Sequence, residues 1–216
     1  MENEIYRVRQ VRPKDFISII KLTKKVYPQT IPWSQDQLAS HLKIFPEGQL
    51  VVVNSKDKVV GYAASLIVDW NDYEFEDNWR DFTDSGFFTN HDPVNGRTLY
   101  GAEIFIDPDF QGRGLGKKLY AAREELAKRM DLVRIRAGAR LAGYSHYAQQ
   151  MTAQEYLDKV VQGELGDPTL SFQLRRGFKA IRLVKDYLRN DPESQGYAAV
   201  IEWLNPQTPP VRIPAP

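Results

Sequence analysis

The chain contains no cysteine. That absence removes disulfides, thiolate nucleophiles and cysteine-based zinc sites together, and it suits a reducing compartment. Histidine is scarce as well. Only His41, His91 and His146 occur, and no two of them have the spacing of metal ligands on a helix. An excess of charge of one sign is also missing. The 29 Lys and Arg against 28 Asp and Glu leave a net charge of +1, which gives no electrostatic basis for binding nucleic acid or an anionic membrane. No apolar run approaches the roughly 18 residues of a membrane span. The charged start MENEIYRVRQ is unlike a signal peptide. These absences point to a soluble, cytoplasmic globular protein with no metal site.

What is present is a succession of strand and helix patterns, and 216 residues suffice for a substantial core. IYRVRQV alternates as a first strand. RPKDFISIIKLTKKVYP carries Phe16, Ile19, Ile20 and Val26 at helical spacing, up to Pro28. Ser34 and Gln37 have the spacing of a capping box, ahead of a helix with Leu38, Leu42 and Phe45 on one face. QLVVVN and VVGYAASLIVDW flank the turn SKDK as a hairpin. From Asp69 to Arg97 the pattern breaks into an acidic, aromatic stretch longer than an ordinary connection. The strand TLYGAEIFID follows, then a helix striped by Leu115, Leu119, Ala122, Leu126 and Met130, then the strand LVRIRAGA. A short helix falls near TAQEYLDKVVQ. In GDPTLSFQLRRGF, Asp167 can cap, Pro168 suits a first helical position and Gly177 a left-handed exit. Strands KAIRLV and GYAAVIEWL close one α/β (α+β) domain over residues 1–204, and the proline-rich 205–216 reads as a tail or linker.

The threshold of the long helix, DFQGRGLGKK, places Gly112, Gly114 and Gly116 at alternate positions. Each costs conformational entropy, so three together need a reason. A phosphate-binding P-loop fails, because Lys118 follows Gly116-Lys117 where Ser or Thr is required and position 111 is Gln. The dinucleotide fingerprint fails because Lys117 stands where its third glycine belongs. A bare connecting turn does not need three glycines flanked by Gln111 and Arg113. A cradle for an anion does: amides without side chains in the way, at a helix N-terminus, let a phosphate approach the main chain. Arg113, Lys117 and Lys118 add positive charge.

In this setting QGRGLG resembles the Q/R-x-x-G-x-G/A signature of the GNAT superfamily of N-acetyltransferases, which bind acetyl-CoA. The strand ending IFIDPDF, the hairpin VVVNSKDKVVGYA and the helix ending RRGF are similar to that family too, so the likeness runs from about residue 5 to 204. It implies a mixed, mostly antiparallel sheet flanked by helices and splayed between strands at Leu99–Ile106 and Val133–Ala137. It further implies the pantetheine arm of acetyl-CoA against the main chain of Ile104, Phe105 and Ile106. The pyrophosphate would lie on the amides of Gln111, Gly112, Arg113, Gly114, Leu115 and Gly116, with Lys117 adjoining.

The implied reaction is direct attack of a primary amine on the thioester in a ternary complex. The amine must lose a proton, the oxyanion must meet donors, and the leaving thiolate must be stabilised or protonated. Many family members carry a glutamate base eleven residues ahead of the signature, where this chain has Tyr100. Glu103, three residues later, is the candidate base on this strand or else a partly exposed strand carboxylate, and strand alternation puts it on the opposite face; a water relay to the acidic stretch is the alternative. The tyrosine that serves many relatives as acid, four residues before the glycine of GF, is Gln173 here. Tyr144, Tyr147 or Tyr100 would have to substitute, with His146 as a further proton shuttle. The acceptor is a small-molecule or protein amine. The acidic, aromatic stretch with Asp72, Glu74, Glu76, Trp70, Tyr73 and Trp79 has the composition to receive a cation, or to be a solvated loop held by its aromatics.

A narrower resemblance lies in GARLAGYSHYA, GELGDPTLSFQLRRGF and DPESQGYAAVIEW. These are similar to the acetyltransferase-like half that precedes a nitrilase-like carbon–nitrogen hydrolase domain in fused proteins. It implies a hydrolase partner, and some family members also form homodimers. With Tyr100 and Gln173 where catalytic groups are expected, the alternative is a non-catalytic acyl-CoA-binding module that regulates such a partner.

Overall fold

The computed structural model describes residues 5–74 and 76–208. They form one seven-stranded sheet in the order β1-β2-β3-β4-β5-β7-β6. The strands are β1 (Arg7–Gln10), β2 (Gln49–Val53), β3 (Val59–Val68), β4 (Thr98–Ile106), β5 (Arg134–Arg140), β6 (Lys179–Val184) and β7 (Ala198–Leu204). All neighbours are antiparallel except β4 and β5. That parallel pair is joined through the long helix α4 (Leu115–Arg129), since parallel strands need a crossover.

Strands β2 and β3 are buried along their whole length. Both faces are covered, which is why they read as near-continuous apolar runs rather than alternating ones. On one face α1 (Phe16–Val26) and α2 (Gln35–Ile44) press Ile19, Leu22 and Leu38 against Val51, Val53 and Tyr62. On the other, Leu115 and Leu119 of α4 meet Leu50, Val52, Val60 and Ala63. The expected capping box of α2 is present, with Ser34 and Gln37 satisfying each other's backbone amides. Behind β5–β7, α5 (Ala153–Gln162) and the short α6 (Leu170–Leu174) pack Tyr156, Leu157 and Leu170 against Ile135, Ala139 and Ile201. Asp167 caps α6 as its spacing implies, its Oδ1 accepting from the amides of Thr169 and Leu170 at 2.8 Å each.

The irregular stretch after β3 holds a 3-10 turn at Trp70–Asp72 and the short helix α3 (Trp79–Thr83). Phe82 and Phe88 are buried in the core, and Trp70, Tyr73 and Trp79 pack part-buried against it. Trp70 and Tyr73 stack on Phe82, and Phe82 stacks on Tyr100 of β4 with ring centroids 4.8 Å apart. Past β7, Asn205 is buried, with its amide on the carbonyl of Val133 and its side chain on that of Leu132. The first residue of the expected tail is therefore bound to the domain, and 209–216 lie outside the described residues.

Candidate active site

Strands β4 and β5 pair only from Thr98 to Tyr100, against Arg134 to Arg136. Beyond that, β4 stays on β3 as far as Ile106, while β5 stays on β7 as far as Arg140. The strands part into a cleft, with the edge Gly101–Ile106 on one side and Ala137–Arg140 on the other. Both are stretches whose backbone groups the facing strand does not satisfy. Two side chains mark the apex. Tyr187 lies against Gly138, where an added Cβ would sit 2.0 Å from its ring, and its hydroxyl meets that of Tyr100. Arg123 of α4 lies against Gly101, where an added Cβ would sit 2.8 Å from its Nη1.

Glu103 is not on the face that strand alternation assigned to it. The β3–β4 register slips so that Ser65 pairs with Gly101 and Ala64 with Glu103, leaving Ala102 as the extra residue of a β-bulge. The bulge breaks the period of two, and Glu103 turns toward the side of Tyr100 and Phe105, under Tyr27 and Trp33. Its Oε1 accepts from the amide of Ile104 at 3.0 Å, and the Tyr27 hydroxyl lies 3.5 Å away. Desolvation outweighs these donors and pushes its carboxyl up to about 7. A carboxyl at that value exchanges a proton at neutral pH, as a general base must. Trp79 completes the surroundings by donating its indole N–H to the carbonyl of Ala102 at 2.8 Å. Nothing in a period-two reading foretells a bulge; Gly101 inside a strand pattern is its one local trace.

The glycine loop lies beyond the end of β4. Gly112 and Gly114 have φ of 73° and 74°, a region open to glycine at little cost, and a Cβ on either would meet nothing within 4 Å. Their faces are open, and Gly114 is the N-cap of α4, whose first amides have no partner within the helix. Open main chain at a helix N-terminus is the arrangement that favours an anion. Gln111 reaches back to the carbonyl of Ile106. Arg113 does not point at the cradle as its charge suggested: it donates to the Tyr6 hydroxyl at 2.8 Å and lies over the ring of Phe110. Leu115 is buried, whereas Lys117 and Lys118 are exposed on the first turn. Of the three residues expected along the pantetheine, Phe105 is buried against Tyr27 and Tyr62, while Ile104 and Ile106 are part-buried.

The other acid–base candidates separate clearly. Tyr100 is buried in the core, paired with Tyr187, and its hydroxyl is held well above its ordinary value by burial. Tyr144 is buried against Tyr156 and Tyr197 and donates to the carbonyl of Met151, so its hydroxyl serves the loop before α5. Tyr147 packs on Tyr156, and His146 is exposed. Gln173 is 4 % exposed and donates its Nε2 to the hydroxyl of Tyr120 at 2.9 Å. Tyr120, which the helical pattern gave no role, thus brings a hydroxyl beside the position where relatives carry their acid. It lies on α4 between Gly116 and Arg123. Tyr120 is itself buried, and desolvation holds its hydroxyl above the ordinary phenol value.

The acidic stretch is tied down from the sheet. Arg136 of β5 lies over the Trp70 ring, and Arg182 of β6 donates to the carbonyl of Glu74. Asp72, Glu74 and Glu76 themselves are exposed. Among the described residues no group of three or more His, Asp or Glu is placed to hold a metal, and no helix is long and apolar enough to cross a membrane.

A splayed sheet, a bulged β4 and a glycine cradle at the start of the next helix define an acyltransferase architecture. The acetyltransferase (GNAT) family model matches residues 16–151, and the chain belongs to that family, whose members use acyl-CoA. It is 37 % identical over 207 residues to the Bacillus subtilis (strain 168) protein named "Uncharacterized N-acetyltransferase YkwB", covering 94 % of this chain and 90 % of that one. It is 39 % identical over 198 residues to "Probable hydrolase YhcX" of the same organism, covering 92 % of this chain but only 38 % of YhcX. Among solved structures, the loading GNATL domain of CurA from Lyngbya majuscula superposes with a TM-score of 0.81 at 20 % identity, covering 93 % of this chain and 98 % of that domain. At that identity the likeness is one of fold.

Proposed function

We propose that this protein is an N-acetyltransferase that moves the acetyl group of acetyl-CoA to a primary amine by direct attack in a ternary complex. The observation that carries the reading is Glu103: a carboxyl turned by a bulge to the cleft strand and held near 7. Bound acetyl-CoA would supply an activated thioester. The amides of Gly112 to Gly116 would hold its pyrophosphate, and the edge of β4 that β5 leaves unmatched, from Gly101 to Ile106, would hold its pantetheine and offer amides to the oxyanion. Glu103 takes the proton from the attacking amine. Tyr120, whose oxygen is occupied by Gln173, gives its proton to the leaving sulfur. The test is calorimetric titration with acetyl-CoA, followed by thiol release over a panel of small amines and amine-bearing peptides. Tight binding with amine-dependent thiol release supports the reading, and absence of binding defeats it.

A second reading is favoured by the likeness to YhcX, of whose length this chain covers 38 %. Here the domain binds acyl-CoA without turnover and regulates a carbon–nitrogen hydrolase. Acetyl-CoA binding without thiol release from any amine, together with a change in the hydrolase's rate when the two are mixed, would favour it over the first.

A further inference from the structure

Arg123 is 1 % exposed, and among the described residues no carboxylate lies within ion-pairing distance of it. A buried cation without an acid is costly and calls for a reason. The reason lies in where its hydrogen bonds end. Nε donates to Ser65 Oγ at 3.0 Å, and Nη2 to the carbonyls of Ala64 at 3.0 Å and Glu103 at 2.7 Å. Ala64 and Ser65 are the two β3 residues between which the register slips, and Glu103 is the residue that the slip turns around. The guanidinium itself lies against Gly101, where an alanine methyl would strike it. One planar fork thus reaches both strands of the bulge at once, which Lys with a single point of donation does not reproduce.

Resting on the reading of Glu103 as base, we infer that Arg123 is a positioning residue: it rivets the β3–β4 bulge from the α4 side and so fixes the orientation of the Glu103 carboxyl on the other side. A helix pattern gives no hint of this, because an arginine three residues before Leu126 reads as a solvated charge. Tyr62 and Tyr120, buried around the same point, are held above the ordinary phenol range by desolvation, with the charge of Arg123 drawing each partly back, so Glu103 is the group there that titrates near neutral pH.

The test uses the full chain with three variants: Arg123→Gln, Arg123→Lys and Gly101→Ala. The last keeps the charge and only displaces the fork. Titration of isotope-labelled Glu103 by NMR reads the carboxyl directly, with no need of turnover, while kcat and KM for acetyl-CoA read the reaction. The expected result is a Glu103 midpoint moved in all three. The kcat should fall about 10- to 100-fold, with KM for acetyl-CoA within about 2-fold, as for a misplaced catalytic group. Lys should fail to rescue. A folded Gly101→Ala or Arg123→Lys whose Glu103 midpoint and kcat equal those of the wild type would overturn the inference. So would variants that lose only thermal stability. Were the wild type to turn over no amine, the acetyltransferase reading would fall, and the NMR midpoint would still decide whether Arg123 governs Glu103.

Discussion

The two ends of the cleft are built in opposite ways. At the end of β4 the glycine loop is exposed and its amides come from consecutive residues, with Gly112 and Gly114 presenting open faces. At the bulge, Glu103 is enclosed by Tyr27, Trp33, Trp79 and Arg123, which arrive from the end of α1, the loop before α2, the inserted stretch and α4. Under the proposed function the loop can be open because it would have only to bind: exposed amides and a helix dipole suffice for an anion. The bulge must be closed because it has to shift a pKa, and a carboxyl moves from its ordinary range to about 7 only where water is excluded. Under the proposed function, binding and proton transfer would be separable along a single strand.

That separation is open to attack, most strongly at the bulge. Glu103→Gln should lower kcat by about 10²- to 10⁴-fold while leaving acetyl-CoA affinity intact. In the wild type the rate should rise with pH through about 7 and level off above it, since the base works deprotonated. The same substitution should also raise stability in alkaline solution. Glu103 has a folded value above its unfolded one, so the folded state is favoured below about 4.5, and that contribution is lost as pH rises toward 7. A melting temperature at pH 8 about 3 °C higher in Glu103→Gln, with no gain at pH 4, would sharpen the contrast between a site under strain and a site at rest. Equal kcat in the variant would place the chemistry elsewhere.

At the other end, Gly114→Trp should weaken acetyl-CoA binding about 100-fold by filling the cradle, at a folding cost of about 1–3 kcal/mol for a bulky residue at positive φ. An unchanged dissociation constant would show the loop to be structural. Tyr120→Phe comes next, with kcat about 10-fold lower and KM unmoved; its loss also strips the buried Gln173 of its partner, costing about 1–3 kcal/mol in denaturant melts. The smallest effect belongs to the acidic stretch. Neutralising Asp72, Glu74 and Glu76 together should raise the acceptor KM by no more than about 3-fold, because exposed charges are screened. A larger rise would make that loop part of the acceptor site.

The local signals were legible in the residues. The capping box at Ser34, the hairpin around SKDK, the Asp167 cap and the glycine loop all depend on neighbours a few positions apart, and all stand where their spacing puts them. Glu103 is legible as a carboxylate on the right strand, but strand alternation assigns it the wrong direction, because a register slip is a property of two strands. Arg123 and Tyr120 were hidden for a related reason. Polar residues in a helical pattern read as surface until something polar is brought to meet them, and Ala64, Ser65 and Gln173 come from distant parts of the chain.

By itself, then, the sequence determined the order of elements through short-range periodicity, the likeness to the GNAT family through the QGRGLG signature, and the position of a glycine loop at the start of α4. The tertiary structure alone decided which way the Glu103 carboxyl turns and that burial raises it. Burial, strand register and the desolvation that follows from them exist only once residues far apart in the chain have been brought together.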